Sequence, residues 1–469
     1  MQDPDRFDLI VIGSGSGLEV SSAAAERGWS VAVVDDGPFG GTCLNRGCIP
    51  SKMLVHVADL AEQVGNAHRF GLEVSLNRVD WPFIVRRTFA DIDEEAAQIE
   101  RANRSAEQIT VFKERVRFIG PKLLQAGDRR ISADQVVIAA GTRPWIPDIV
   151  GLVQVTAHTT DTVMRLPQQP RRMVVLGGGY VAAELAHFFH AVGTEVTLIT
   201  HGRTMLSRED VDVARTVTDA YRRRMRVITE SEARTVRPSD AGFTLTTNAG
   251  EEIGADTLLI ATGRTPNTDE LAVATTGVEL DANGFVRTNE YLETNVPGIW
   301  ALGDVVGRYQ LKHNANLEAS HVAHNILEPG ERLMMDYRAM PHAIFGSPQV
   351  GAVGLTEQEA REQGLSALVS RTAYTEAAYG SSIDERDGFV KVLLDPSDNQ
   401  LLGVHVVGTQ AATLVQEAVN VMRFRLPAEA ISQSVYIHPA LPEVMQRAVG
   451  RALAASADAG HHHHDDEEH

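Results

Sequence analysis

Twice in this chain a short apolar run ends in clustered glycines and passes straight into a helix-forming segment. The first copy is Phe7 to Ile12, then Gly13-Ser14-Gly15-Ser16-Gly17-Leu18, a helix to about Arg27, and a second apolar run, Val31 to Val34, closed by Asp35. The second copy is Met173 to Leu176, then Gly177-Gly178-Gly179-Tyr180-Val181-Ala182, a helix through Glu184 to Ala191, and Val196 to Ile199. Glycine turns of this kind let the backbone approach a pyrophosphate, which the free N–H groups of the following helix bind. Two such units predict two dinucleotide sites on a duplicated α/β architecture.

An acid about 20 residues after the first turn suits a ribose hydroxyl, which groups Gly13, Gly15 and Asp35 in one site. The third glycine of the usual spacing falls at Leu18, so this helix is expected to pack less closely on its strand. In the second unit Gly177, Gly179 and Tyr180 open the helix with G-x-G-x-x-A spacing. Its last strand ends in Thr200-His201-Gly202-Arg203, without a carboxylate. A ribose 2′-phosphate repels an acid and attracts a cation, so His201 and Arg203 predict NADPH rather than NADH.

Both cysteines lie in one run, Gly40-Gly41-Thr42-Cys43-Leu44-Asn45-Arg46-Gly47-Cys48-Ile49-Pro50-Ser51-Lys52. A C-x4-C pair on one distorted helix turn brings two sulfurs within bonding range. A dithiol that opens and closes easily stores two electrons. Three further segments suit a flavoprotein. Ala139-Ala140-Gly141-Thr142-Arg143-Pro144 and Ala261-Thr262-Gly263-Arg264-Thr265-Pro266-Asn267 read as crossings between domains, and Val296 to Asp304 as a strand ending in Gly303-Asp304. A carboxylate there suits a ribityl hydroxyl. A helix over about 315–326 would aim its positive N-terminus at a flavin gaining charge on reduction. The last third, about 340–453, carries no glycine fingerprint and reads as an α+β domain for association.

The net charge of −19 argues against nucleic acid and against anionic membrane surfaces as partners. Two cysteines in 469 residues point to a reducing cytosol rather than a secreted scaffold. No basic-then-apolar leader and no run of roughly 18 apolar residues is present. The histidine-rich, acidic end is expected to be disordered, and no metal site is expected.

Taken together, these segments resemble the pyridine nucleotide–disulfide oxidoreductases of the glutathione reductase and lipoamide dehydrogenase type, over about 7–450. The Gly-Gly-Thr-Cys-x4-Cys-Ile-Pro-Ser-Lys segment and the Tyr436-Ile437-His438-Pro439-Ala440-Leu441-Pro442-Glu443 segment carry the resemblance. It implies two Rossmann-like domains, for FAD and NADPH, and a C-terminal α+β dimerisation domain. The implied boundaries are 1–145 for the first part of the FAD domain, 146–265 for the NADPH domain, 266–338 for the second FAD part, 339–455 for the interface domain and 456–469 for the tail. FAD would lie along Gly13, Gly15, Asp35, Gly41, Thr42, Gly141 and Asp304. NADPH would lie at Gly177, Gly179, Tyr180, His201, Arg203 and Gly263.

By the same resemblance Cys48 faces the flavin and Cys43 exchanges with the substrate. Lys52 sits beside the flavin, with Glu184 as its partner, and Tyr180 covers the ring. His438 protonates the leaving thiolate, held by Glu443, and serves the partner subunit's Cys43, so the chain works as a homodimer. The Leu311-Lys312-His313-Asn314-Ala315-Asn316 run and the Gly-Ser-Gly-Leu turn resemble the subgroup acting on the disulfide of mycothiol, a sugar thiol. The first helix carries no cation before Arg27, which disfavours the carboxylates of glutathione. The alternative is an NAD-dependent dihydrolipoamide dehydrogenase serving a multienzyme complex.

Overall fold

The computed structural model describes residues 3–240 and 242–465, with 458–465 described by backbone alone. Asp5–Ile12 is central in a seven-stranded sheet, parallel to Val31–Val34 on one side and to Arg129–Ile138 on the other. Parallel strands are covered on both faces, which explains why Val31–Val34 is apolar throughout and at most 1% exposed. Ile299–Ala301 returns late in the chain to pair with Arg129–Ile138. The first nucleotide unit is therefore built from two distant stretches of sequence.

Leu18 does not loosen the first helix. That helix spans Gly17–Glu26, and an ideal Cβ on Gly17 would lie 2.9 Å from both Ala139 Cβ and Val11 Cγ1. Gly17 provides the close helix–strand approach one residue before the expected position. The looser packing anticipated from Leu18 is corrected on that ground.

The second unit repeats the plan. Arg172–Leu176 lies parallel to Glu195–Ile199 and Thr257–Ile260 in a five-stranded sheet, with the helix Tyr180–Ala191 following its glycine turn. The two crossings meet: Thr142–Pro144 pairs antiparallel with Arg264–Pro266. The C-terminal part is an antiparallel sheet in the order Pro341–Ile344, Val350–Gly354, Leu401–Val407, Phe389–Leu394, Leu368–Ala373. Ala411–Arg423 and the last helix, Pro442–Asp465, pack against it. The architecture is thus α/β with two Rossmann-like sheets and a C-terminal α+β domain.

One apolar cluster crosses all three parts. It joins Leu54 and Ala58 of the helix Cys48–Asn66 to Ala182, Ala183 and Leu185 of the second-unit helix, and to Ile344 and Phe389 of the C-terminal sheet. This core fixes the redox segment against its neighbours. At the chain's end, 456–465 continues the last helix where disorder is expected from sequence. The alanine-rich stretch Ala452 to Ala459 favours that continuation; residues 466–469 lie outside the described residues. No helix among the described residues is long and apolar enough to cross a membrane.

Candidate active site

The two cysteines do not share a helix turn. Cys43 lies on the short helix Gly41–Arg46, and Cys48 begins the helix Cys48–Asn66. Between them Gly47 breaks the path at φ −134°, ψ −118°. An ideal Cβ on Gly47 would stand 2.8 Å from the Thr42 carbonyl oxygen and 3.3 Å from Cys43 Cα. A side chain there would push the two short segments apart, so the break depends on glycine.

Both cysteines are free thiols, Cys43 half-buried and Cys48 exposed. Their protons are shared unequally. A hydrogen bond from Cys43 lowers Cys48 to about 7 against desolvation by the surrounding protein atoms, with Lys52 helping and Glu184 opposing. The same bond, and then burial, push the Cys43 thiol well above its ordinary value, while Lys312 pulls it down. The arrangement keeps the proton on Cys43 and leaves Cys48 about half ionised at pH 7.

Lys52 follows one helix turn after Cys48. Its Nζ donates to both Glu184 carboxylate oxygens at 2.7 Å. Glu184, with its side chain 5% exposed, also accepts the Phe345 backbone N–H at 3.0 Å. Lys52 Nζ lies 4.7 Å from the centroid of the Phe345 ring. The redox helix, the second-unit helix and the C-terminal sheet thus converge on one ion pair. Tyr180, the first residue of the second-unit helix, stands beside it. Burial pushes its phenol up, and the charges of Arg264, Asp304, Cys48 and Glu184 act on it.

The two glycine turns are built alike. An ideal Cβ on Gly13 would lie 2.3 Å from the Ala139 carbonyl oxygen, and one on Gly177 would lie 2.2 Å from that of Ala261. Gly141 and Gly263 follow those two carbonyls and lead into the paired crossing strands. The first turn fits the pyrophosphate and flavin of FAD. Ser14 Oγ is fully buried and has no hydrogen-bond partner among the described residues, and a Cβ on Gly41 would lie 2.8 Å from Gly15 Cα. Thr42 follows Gly41 on the same short helix. Asp35 accepts the Ser14 N–H at 2.7 Å and the Gly37 N–H at 2.8 Å, so it braces the turn and keeps lone pairs for a ribose.

Asp304 accepts from the Thr142 hydroxyl at 3.1 Å, and burial pushes its carboxyl up. Arg264 donates to the Thr142 hydroxyl at 2.6 Å and to the Thr142 carbonyl at 2.7 Å. On the neighbouring helix Lys312–Leu327, buried Glu318 accepts the Gly303 N–H at 2.6 Å. At the second turn Gly179 precedes the helix, and His201 and Arg203 are exposed on the strand-end rim. The local sequence at that rim, Thr200-His201-Gly202-Arg203, contains no carboxylate. The structure brings one, Glu230, 3.4 Å from Arg203.

His438 Nδ1 lies 2.9 Å from Glu443 Oε1, and Ala440 N–H donates to Glu443 Oε2 at 3.0 Å. The His438 hydrogen bond, then the Ala440 N–H, hold Glu443 below the usual carboxylate range. Within one chain, no hydrogen bond or ion pair among the described residues joins this pair to either cysteine. Cys43, Cys48, Lys52, Glu184 and Tyr180 are brought together; His438 and Glu443 form a separate dyad on the C-terminal domain. Thr142, Arg264, Glu318, Phe345 and Lys312 were given no role from sequence. Arg264 and Lys312 stand in runs already conspicuous there, whereas Phe345 meets Glu184 through its backbone N–H and Lys52 through its ring, a long-range pairing that leaves no local sequence signal.

The family profile described as pyridine nucleotide-disulphide oxidoreductase matches residues 7–319, and its dimerisation domain matches 340–449. A mycothione reductase of Mycobacterium tuberculosis is 39% identical over 461 residues, covering 95% of this chain and 99% of the relative. A dihydrolipoyl dehydrogenase of Chlamydia muridarum is 32% identical, covering 94% and 95%. Among solved structures, the Cu(II) complex of an HOCl-induced flavoprotein disulfide reductase from Escherichia coli superposes with TM-score 0.85 at 24% identity, covering 95% of this chain and 99% of that one.

Proposed function

Since the chain belongs to the pyridine nucleotide–disulphide oxidoreductase family, we propose that it reduces mycothiol disulfide to two mycothiol molecules with NADPH. The observation that carries the reading is the placement of Cys43 and Cys48 on two helices joined at Gly47, beside the Lys52–Glu184 ion pair, and the 39% identity to a mycothione reductase supports mycothiol disulfide as the substrate. Bound FAD would supply hydride acceptance from the nicotinamide and delivery of an electron pair to sulfur. Gly13, Gly15, Gly41, Asp35 and Asp304 would hold it.

The protein's own residues do the rest. The electron pair opens the Cys43–Cys48 bond, leaving a thiolate on Cys48 and a thiol on Cys43. Cys43, once deprotonated, attacks one sulfur of the substrate disulfide, forming a mixed disulfide and expelling one thiolate. The partner subunit's His438 gives that thiolate a proton, and Glu443 holds the imidazolium as the carboxylate does in a triad. Cys48 then attacks Cys43, re-forming the internal bond and releasing the second thiol. One NADPH and one proton are consumed for two thiols formed. The dimerisation-domain match over 340–449, and the separation of the His438–Glu443 dyad from both cysteines within one chain, support a homodimer in which His438 crosses to the other subunit. We place the enzyme in the cytoplasm, where a reducing pool suits two free cysteines.

One observation favours the second reading, an NADH-linked dihydrolipoyl dehydrogenase. Glu230 puts a carboxylate on the rim where a 2′-phosphate would bind. Steady-state assays separate the two. NADPH and NADH are each paired with mycothiol disulfide, glutathione disulfide and lipoamide. The proposal expects the highest kcat/KM for NADPH with mycothiol disulfide, by at least about tenfold. A maximum with lipoamide and NADH would replace it.

A further inference from the structure

Glu318 is 0% exposed, yet among the described residues it makes no ion pair. It lies on the helix Lys312–Leu327 and takes three neutral donors. Oε2 accepts the Gly303 N–H at 2.6 Å. Oε1 accepts the Asn314 side-chain amide at 2.9 Å and the Tyr337 hydroxyl at 2.8 Å. Burial pushes its carboxyl up against those three bonds. A buried carboxylate without a cation is costly, and an apolar side chain of similar volume would pack a helix at least as well. Helix packing alone therefore gives no reason for an acid here.

The donors identify what the acid holds. Gly303 lies 15 residues away in sequence, Asn314 4 and Tyr337 19. Gly303 sits at φ +75°, and an ideal Cβ there would lie 3.3 Å from Ala315 Cβ, so its turn lies directly on the first turn of the helix. Asp304 follows Gly303, and its carboxylate accepts the Thr142 hydroxyl at 3.1 Å. Asn314 turns its amide to Glu318 and to the Tyr309 carbonyl at 3.2 Å, which leaves its own buried Oδ1 without a hydrogen-bond partner among the described residues. Glu318 thus ties the Gly303-Asp304 turn to the N-terminal turn of the helix. These are the two groups expected to serve a flavin, a carboxylate for the ribityl chain and a helix N-terminus for the charge of the ring.

We propose that Glu318 is a positioning residue for FAD, fixing Asp304 and the start of the helix Lys312–Leu327 in one arrangement so that both meet the flavin end of the cofactor together. The proposal rests on the assignment of Asp304 to FAD. Glu318 reaches both groups by accepting hydrogen bonds, so its length and its acceptor oxygens matter and its charge does not.

The test follows release of FAD from the loaded protein by flavin fluorescence after dilution, without NADPH or any disulfide. Glu318→Met fills a similar space with no acceptor oxygen. Glu318→Gln keeps the length and an acceptor for the Gly303 N–H, and the free Asn314 Oδ1 can turn to accept its amide. The proposal expects Glu318→Met to release FAD about tenfold faster than the parent and Glu318→Gln to stay within about threefold. If Glu318→Met does not fold, Glu318→Asp, which keeps the carboxylate one methylene short of both groups, carries the same expectation. Parental release from the Met variant, or release from the Gln variant as fast as from Met, would overturn it. Asp304→Ala, measured alongside, separates the proposal from its premise. Parental release from Asp304→Ala would remove the assignment of Asp304 to FAD and the proposal with it. Fast release there with parental release from Glu318→Met would overturn the proposal alone, and the mycothiol reading is decided separately by the steady-state substrates.

Discussion

Lys52 and Glu184, 132 residues apart in sequence, meet in a two-pronged ion pair at 2.7 Å that joins the redox helix to the second nucleotide unit. The pair lies beside Cys48 and acts on it with both signs. Lys52 favours the thiolate, and Glu184 opposes it. The domain contact and the chemistry are therefore set by the same two side chains.

Opposite shifts follow from removing either partner. Lys52→Met should raise the Cys48 midpoint above about 7, and Glu184→Gln should lower it, each by roughly half to one unit. Ultraviolet thiolate absorbance in the reduced protein measures both. Shifts in the same direction would show that structural disturbance, not charge, controls Cys48.

Cys43 is the largest influence on Cys48, through its hydrogen bond. Cys43→Ala should move the Cys48 midpoint from about 7 toward the ordinary thiol value of 9.0. Below the midpoint Cys48 carries a proton, and above it the thiolate. At pH 7 the variant should therefore lose most of its Cys48 thiolate, besides losing all disulfide turnover.

The His438–Glu443 dyad should affect only the outward half of the reaction. Exchange of His438 for Gln is expected to slow disulfide reduction by about 10²- to 10³-fold while thiols still appear at the parental rate on NADPH addition. Glu443 is depressed in the folded protein. Its contribution is present above the unfolded carboxylate value and is lost as pH falls through the lower folded value. Activity at neutral pH should consequently be insensitive to Glu443 titration, and a Glu443-linked loss should appear only in acid.

Several of these groups could be read from the chain, and several could not. Glycine turns and apolar runs are local, so Val31–Val34 and the helix ending at Ala191 appear where the sequence places them. The close-packing role of Gly17 was missed because the usual spacing directs attention to Leu18. The break at Gly47 depends on the approach of the Thr42 carbonyl, which no spacing rule records. Glu230 reaches the rim from the strand end after Arg226–Ile228, and Lys312 reaches Ser16 from the far end of the first unit. Such meetings are determined by strand order, so an isolated motif does not contain them.

Stability of the domain contact should depend on Lys391. This side chain is 1% exposed and binds Asp210 at 2.9 Å, Asp212 at 2.8 Å and Glu357 at 2.6 Å. Burial disfavours its charge, but the three carboxylates outweigh burial and hold its pKa above the ordinary lysine value. Lys391→Met leaves the carboxylates uncompensated and should cost about 3–5 kcal/mol in urea unfolding. A loss below about 1 kcal/mol would mean that water or rearrangement replaces the ammonium.

The central claim is that Cys43 and Cys48 carry reducing power from nucleotide to substrate. Anaerobic addition of one equivalent of NADPH to the oxidised, FAD-loaded protein, followed by thiol titration, tests it most directly. The account predicts two new thiols per chain, located at Cys43 and Cys48, which disappear when one equivalent of mycothiol disulfide is added. Complete oxidation of NADPH with no new thiol would contradict it.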